Sequence, residues 1–240
     1  MCERIKEDME NVVYAIEWVI IFILSATLHE GAHALAAKTG GDPTAYAGGQ
    51  VTLNPLVHIE RQPLGMRVFP FVSSLLLGWP FGYASVPYDP FWAYKHPRKA
   101  AWMAAAGPAA NLALVIICGI AIKIGIGAGV FYEPSSAGLT SLVDPAAGRI
   151  WTGLSTFISM MFSLNLIMLL LNLIPLPPLD GSNIVSLFLP ESTARNYWSF
   201  VTKPAFGFIG LLLAWQLIDP IINVAFPWAM NLLYWGANFG

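Results

Sequence analysis

Charge is what this chain has least of. Only 11% of its 240 residues are Asp, Glu, Lys or Arg, against about 25% in soluble domains. Hydrophobic residues make up 56%, and mean hydropathy is +0.62. Such a chain cannot cover a water-facing surface, which excludes an ordinary soluble domain and points to an integral membrane protein. Cysteine is nearly absent: Cys2 and Cys118 give neither a disulfide framework nor a metal-binding spacing. Net charge is only −2, so nothing points to nucleic acid as a partner. The opening MCERIKEDMEN mixes acids with bases. It has no basic n-region followed by a cleavage site and reads as an uncleaved polar tail. No internal repeat or low-complexity tract is present. The expectation is one membrane domain over 1–240, with a core of about 12–190 and a C-terminal helical segment of about 204–236.

Long apolar runs are what the chain does have. A membrane-spanning helix needs about 20 largely apolar residues. Four stretches qualify: Val12 to Ala37, Ala100 to Gly127, Ile150 to Ile174 and Pro204 to Trp235. The last is expected to kink or split at Asp219–Pro220. Between the first two, residues 38–65 are rich in Gly, Pro and polar groups and read as a loop, with a short strand pair around Thr44–Leu53. Residues 66–84 are apolar but short, and are broken by Pro70, Gly78, Pro80 and Gly82. The prolines of NLIPLPPLDGSN, residues 172–183, must end the third span. A short helix is expected over Ile184–Leu189. The predicted class is an all-α membrane protein: a polytopic transmembrane helix bundle with a short β-hairpin and a re-entrant segment.

Ionisable groups inside or at the ends of apolar runs are costly and mark function. Among them are Glu17, Glu30 and Asp180, with His29 and His33. Glu17, beside Trp18, reads as an interfacial residue. His29-Glu30-Gly31-Ala32-His33 fits H-E-x-x-H. Positions i and i+4 share one helix face, so two imidazoles can hold one tetrahedral zinc ion. Glu30 stands next to the first of them, within reach of a water on that ion. Zinc lowers such a water's pKa to about 7, and a carboxylate can then take its proton.

A catalytic zinc ordinarily has three protein ligands. His58 follows in the polar loop, but Asp180 is the better third ligand, since it sits in the Pro-rich break after the third span with Gly181 behind it. Its alternative role is to cap the helix that follows. His58 and His96 read as loop residues. Gly107, Pro108 and Asn111 lie in a small-residue run that suits close helix packing.

The stretches LHEGAH, AAGPAANL (105–112) and NLIPLPPLDGS (172–182) resemble the three signatures of the site-2 proteases, which are intramembrane zinc metalloproteases. GGQVTLNPLVHIE resembles the segment that follows H-E-x-x-H in compact prokaryotic members without a PDZ domain. The similarity runs in order through roughly residues 20–190. It implies one catalytic zinc on His29, His33 and Asp180, with Glu30 as catalytic base. It also implies a role for Asn172 in stabilising the substrate or the oxyanion. Read bottom-up, that amide could equally tie down a helix end. The implied activity is cleavage of membrane-anchored substrates within or near the bilayer, as in regulated intramembrane proteolysis. The strand pair at Thr44–Leu53 would take the unwound substrate by strand addition. The implied partners are a transmembrane protein substrate, the lipid bilayer and a membrane-bound regulator. Two rivals predict otherwise: a proteolytically silent scaffold or chaperone has no use for Glu30, and a metal transporter would spread polar residues over several spans.

A shared zinc also constrains topology. His33 lies near the exit end of span one and Asp180 just past the exit end of span three, so both spans must exit on one side. Residues 66–84 must then dip in and return, under cover of the bundle. That places Lys38, Arg61, Arg67, Lys95, Arg98, Lys99, Arg195 and Lys203 on one face and Arg4, Lys6 and Arg149 on the other, with Lys123 near it. The richer face is expected to be cytoplasmic, with the active site towards it, in a prokaryotic cell membrane.

Overall fold

The computed structural model describes residues 2–235. The chain begins with one long helix, α1 (Cys2–Gly40), which absorbs the polar N-terminal tail. Three short elements follow: α2 (Thr44–Ala47), α3 (Pro55–Arg61), then a π-helical turn (Leu64–Val68) that leads into α4 (Phe69–Leu77). Next come α5 (Pro90–Lys95) and α6 (Pro97–Gly127). A two-residue antiparallel ladder joins β1 (Phe131–Tyr132) to β2 (Asp144–Pro145), with Phe131 opposite Pro145. Then come α7 (Arg149–Leu173), α8 (Asp180–Ile184), a 3₁₀ turn (Val185–Phe188), α9 (Glu191–Val201) and α10 (Pro204–Leu233). Among the described residues, four helices are long and apolar enough to cross a membrane: α1 from Asn11, α6, α7 and α10. The class is an all-α membrane protein, as expected.

The helices start and stop where local chemistry requires. Pro97 opens α6 at a position whose N–H has no helical partner in any case. Gly78 closes α4 in the left-handed region, with φ of 77°. α7 ends at Leu173 because Ile174 precedes Pro175 and is driven to extended backbone, with ψ of 129°. Pro220 and Pro227 do not split α10, which runs unbroken through both. Neighbouring groups in a bundle can satisfy the carbonyls that a proline frees.

α1, α6 and α7 form the bundle that carries the site. α6 runs antiparallel to α1: the Lys99 Nζ meets the Gly40 carbonyl, Met103 lies beside His33, and Asn111 beside His29. α7 runs parallel to α1, with Asn165 beside Ser25 and Asp180, just beyond α7, beside His29 and His33. The half of the bundle away from the histidines is packed with Trp18, Ile21, Phe22, Ile122, Met160 and Phe162. α7 is the central helix and α10 the peripheral one: 61% of the apolar window of α7 is buried, against 17% for α10.

Residues 64–83 go out and come back. Tyr83 donates its backbone N–H to the Gly65 carbonyl at 3.1 Å, and Phe81 donates to Ser73 Oγ at 2.6 Å. The returning segment lies so close to α4 and α1 that a Cβ on Gly82 would strike the Phe22 and Pro70 side chains. The fourteen residues Leu64–Leu77 rise only about 21 Å, short of the roughly 30 Å of a bilayer core.

Two local expectations fail. No strand pair forms at Thr44–Leu53. Asp42 takes the Thr44 N–H and starts a helical turn there, which Gln50 and Gly49 close by bonding back to Ala45 and Tyr46. The one ladder among the described residues lies instead between α6 and α7. The short helix after the Pro-rich break starts at Asp180 rather than Ile184, because its first turn follows directly on the extended Leu179. Residue 236, the last of the expected C-terminal segment, lies outside the described residues.

Candidate metal centre

Ser25, His29 and His33 stand four residues apart and so share the face of α1 that looks onto α6 and α7. His29, Glu30 and His33 are all buried. The two imidazole planes cross at 84°, and their Nε2 atoms are 3.0 Å apart. Asp180 brings its Oδ2 to 3.1 Å from His29 Nε2 and 3.2 Å from His33 Nε2. It opens α8 without capping it, since no side chain caps that helix. The carboxylate is turned to the histidines, away from the cap role that was its alternative.

The far nitrogens decide what the near ones carry. His33 Nδ1 lies 2.7 Å from the Met103 carbonyl, which can only accept, so the proton is on Nδ1. His29 Nδ1 lies 2.6 Å from Asn111 Oδ1 and is likewise the donor. With neutral rings both Nε2 atoms present lone pairs, and they meet each other and an Asp180 oxygen that has no other hydrogen-bond partner among the described residues. Three buried lone-pair atoms at 3.0–3.2 Å repel one another unless a proton or a metal cation lies among them, and a metal ion serves all three at once. Ligands on a tetrahedral zinc with bonds of about 2.0–2.1 Å stand about 3.3 Å apart. The donors fit such an ion in type and in spacing.

Glu30 is the fourth member. Its ligand atom lies with those of His29 and His33 inside a group spanning 4.8 Å, and its Oε2 makes no hydrogen bond among the described residues. α6 leaves room for the imidazoles at Gly107, where a Cβ would run into Nε2 of both histidines. The small-residue run there does pack helices closely, and the particular thing it packs against is the pair of ligands.

A sequence profile for the peptidase family M50 matches residues 17–215. The chain belongs to the M50 peptidases. YwhC of Bacillus subtilis (strain 168), named as a candidate zinc metalloprotease, is 34% identical over 197 residues, covering 81% of this chain and 78% of that protein. Rip2 of Mycolicibacterium smegmatis, named in the same way, is 30% identical over 220 residues, covering 91% of this chain and 71% of that protein. No solved structure matches significantly. Family membership and the converging His, His and Asp donors together make this M50 protein a zinc metalloprotease, as its site-2 protease signatures imply.

The remaining candidates lie elsewhere. Asn172 is half-buried and donates Nδ2 to the Met168 carbonyl of its own helix at 3.0 Å. His58 is buried in α3 rather than in a loop, with Nε2 3.2 Å from the Thr52 carbonyl. His96 precedes α6, its ring against Trp92. Asn165 and Ser25 have no counterpart in the sequence reading, and Asn111 enters it only as a packing residue. The available signal was an amide in each of two apolar spans, costly groups that need partners.

Proposed function

We propose that this protease hydrolyses peptide bonds of membrane-anchored proteins within or near the bilayer, as in regulated intramembrane proteolysis. The observation that carries this is Glu30: a buried carboxylate oxygen without a hydrogen bond among the described residues, beside three metal donors, on a helix apolar enough to cross a membrane. A zinc ion held there supplies a Lewis acid and lowers the pKa of water to about 7.

The chain's own residues do the rest. His29, His33 and Asp180 hold the metal. Glu30 takes a proton from the attacking water at its carboxylate and delivers it to the leaving amine nitrogen. Asn172 keeps one N–H beyond its bond to Met168, which an oxyanion could accept. Eight basic residues, Lys38, Arg61, Arg67, Lys95, Arg98, Lys99, Arg195 and Lys203, favour a cytoplasmic position for the face towards which the site lies. The substrate is a transmembrane protein, delivered from the surrounding bilayer or by a membrane-bound regulator.

The test compares the membrane proteome of the native host carrying the wild-type chain or Glu30→Gln. A single-span protein should build up uncut in the mutant, and its fragment should appear only with wild type. Purified Glu30→Gln should retain bound zinc while cleavage of that protein falls by about 10²–10⁴-fold. Cleavage at the wild-type rate would remove Glu30 from the base role.

A further inference from the structure

The most deeply buried polar groups behind the metal centre form one chain that ends on a ligand. Asn111 on α6 and Asn165 on α7 are both 0% exposed. Asn165 donates Nδ2 to the Met161 carbonyl at 2.8 Å and to Ser25 Oγ at 2.9 Å. Asn111 donates Nδ2 to Asn165 Oδ1 at 2.8 Å and turns its Oδ1 to His29 Nδ1 at 2.6 Å.

An amide can be placed either way round, so the polarity of such a chain must be read from a group with a single role. The Met161 carbonyl is that group. It only accepts, so the Asn165 nitrogen must face it and the Asn165 oxygen must face Asn111. Asn111 then has to give its nitrogen to Asn165 and present its oxygen to His29. His29 in turn must keep its proton on Nδ1 and aim the Nε2 lone pair at Asp180. A backbone carbonyl on α7 thus fixes, through two side chains, the tautomer of a ligand on α1. His33 needs no such relay, because the Met103 carbonyl meets it directly.

We infer that Asn111, locked by Asn165, is a positioning residue for the metal: its oxygen holds His29 in the tautomer and ring rotation that bind through Nε2. Partners of this kind are typically worth about 10–100-fold in metal affinity. A neutral amide does this without adding a third charge to a site that already buries Glu30 and Asp180 in an apolar bundle.

The inference rests on the zinc-site reading, and its test reads metal binding rather than cleavage. The full chain, purified in detergent, is titrated with Zn²⁺ against a chromophoric chelator and with Co²⁺ by its visible absorption. Asn111→Leu should fold, bind zinc about 10–100-fold more weakly and shift the Co²⁺ bands. Asn111→Asp, held as the neutral acid, gives its O–H to Asn165 Oδ1 and its other oxygen to His29, and should stay within about threefold of wild type. A merely structural Asn111 would make both substitutions equally harmful or equally harmless and would leave the Co²⁺ bands of folded protein in place; either result overturns the inference. If Asn111→Leu does not fold, Asn111→Ser, too short to reach His29, takes its place with the same expectations. A wild-type chain that binds neither ion would overturn the zinc reading itself and this inference with it.

Discussion

Tyr83 and Gly65 are joined by a backbone hydrogen bond of 3.1 Å, N–H to carbonyl. The chain between them leaves the bundle end where α1 finishes and returns to it before α6 begins. α6 can therefore run back along α1, and α7 can run parallel to α1, which brings Asp180 to His29 and His33. Reporter fusions after residues 60 and 95 are expected on the same side of the membrane. Opposite sides would mean that 66–84 crosses the membrane, an arrangement in which these ligands could not meet.

Gly107 sets the distance between α6 and the ligands. A side chain there must displace the imidazoles, and overpacking of this kind costs about 1–3 kcal/mol, or roughly five- to 150-fold in affinity. Gly107→Val should lose bound zinc, measured as metal per chain after dialysis against a weak chelator. Wild-type zinc content would show that the rings have room to move.

Asp180→Asn separates the ligand role from the cap role. A neutral amide is a poor zinc ligand, so affinity should drop at least about tenfold. Thermal unfolding of the metal-free chain should not shift down, since the carboxylate caps no N–H. Retained affinity with unfolding shifted down, by the roughly 1 kcal/mol of a lost cap, would assign Asp180 to α8 instead.

Outside the membrane, Asp42 ties three elements together. Burial pushes its carboxyl up, but bonds from Thr44 Oγ1, the Asp89 N–H and the Thr44 N–H outweigh this and hold it below the usual carboxylate range. A depressed folded value contributes stability that is present above the unfolded pKa of about 4 and is lost as pH falls through the folded one. Unfolding temperatures measured from pH 7 down to pH 2 should show this loss in the wild type. Asp42→Asn should flatten the profile in the acid window. Parallel profiles would mean that the bonds contribute nothing.

What could be read from the residue order was whatever lies on a single element. His29 and His33 are four apart, and the helix alone puts them on one face. The paucity of charge sets the membrane class. The break at Pro175 ends α7 in any context, because a residue before proline is driven from helical backbone. Asp180 could be tied to the histidines only by asking what an incomplete metal site still lacked. The strand pair at Thr44–Leu53 failed for a local reason of its own, the competing hydrogen bonds of Asp42.

The sequence by itself determined the apolar spans, the H-E-x-x-H face and the position of the break that carries Asp180. Only the tertiary structure decided that Asn111 faces His29, that Asn165 orients Asn111, and that Gly107 makes room for both rings. The reason is geometric. Periodicity within a helix fixes which of its own residues are neighbours, but contacts between helices depend on their rotation and depth against one another. Those are set by the packing of three helices at once.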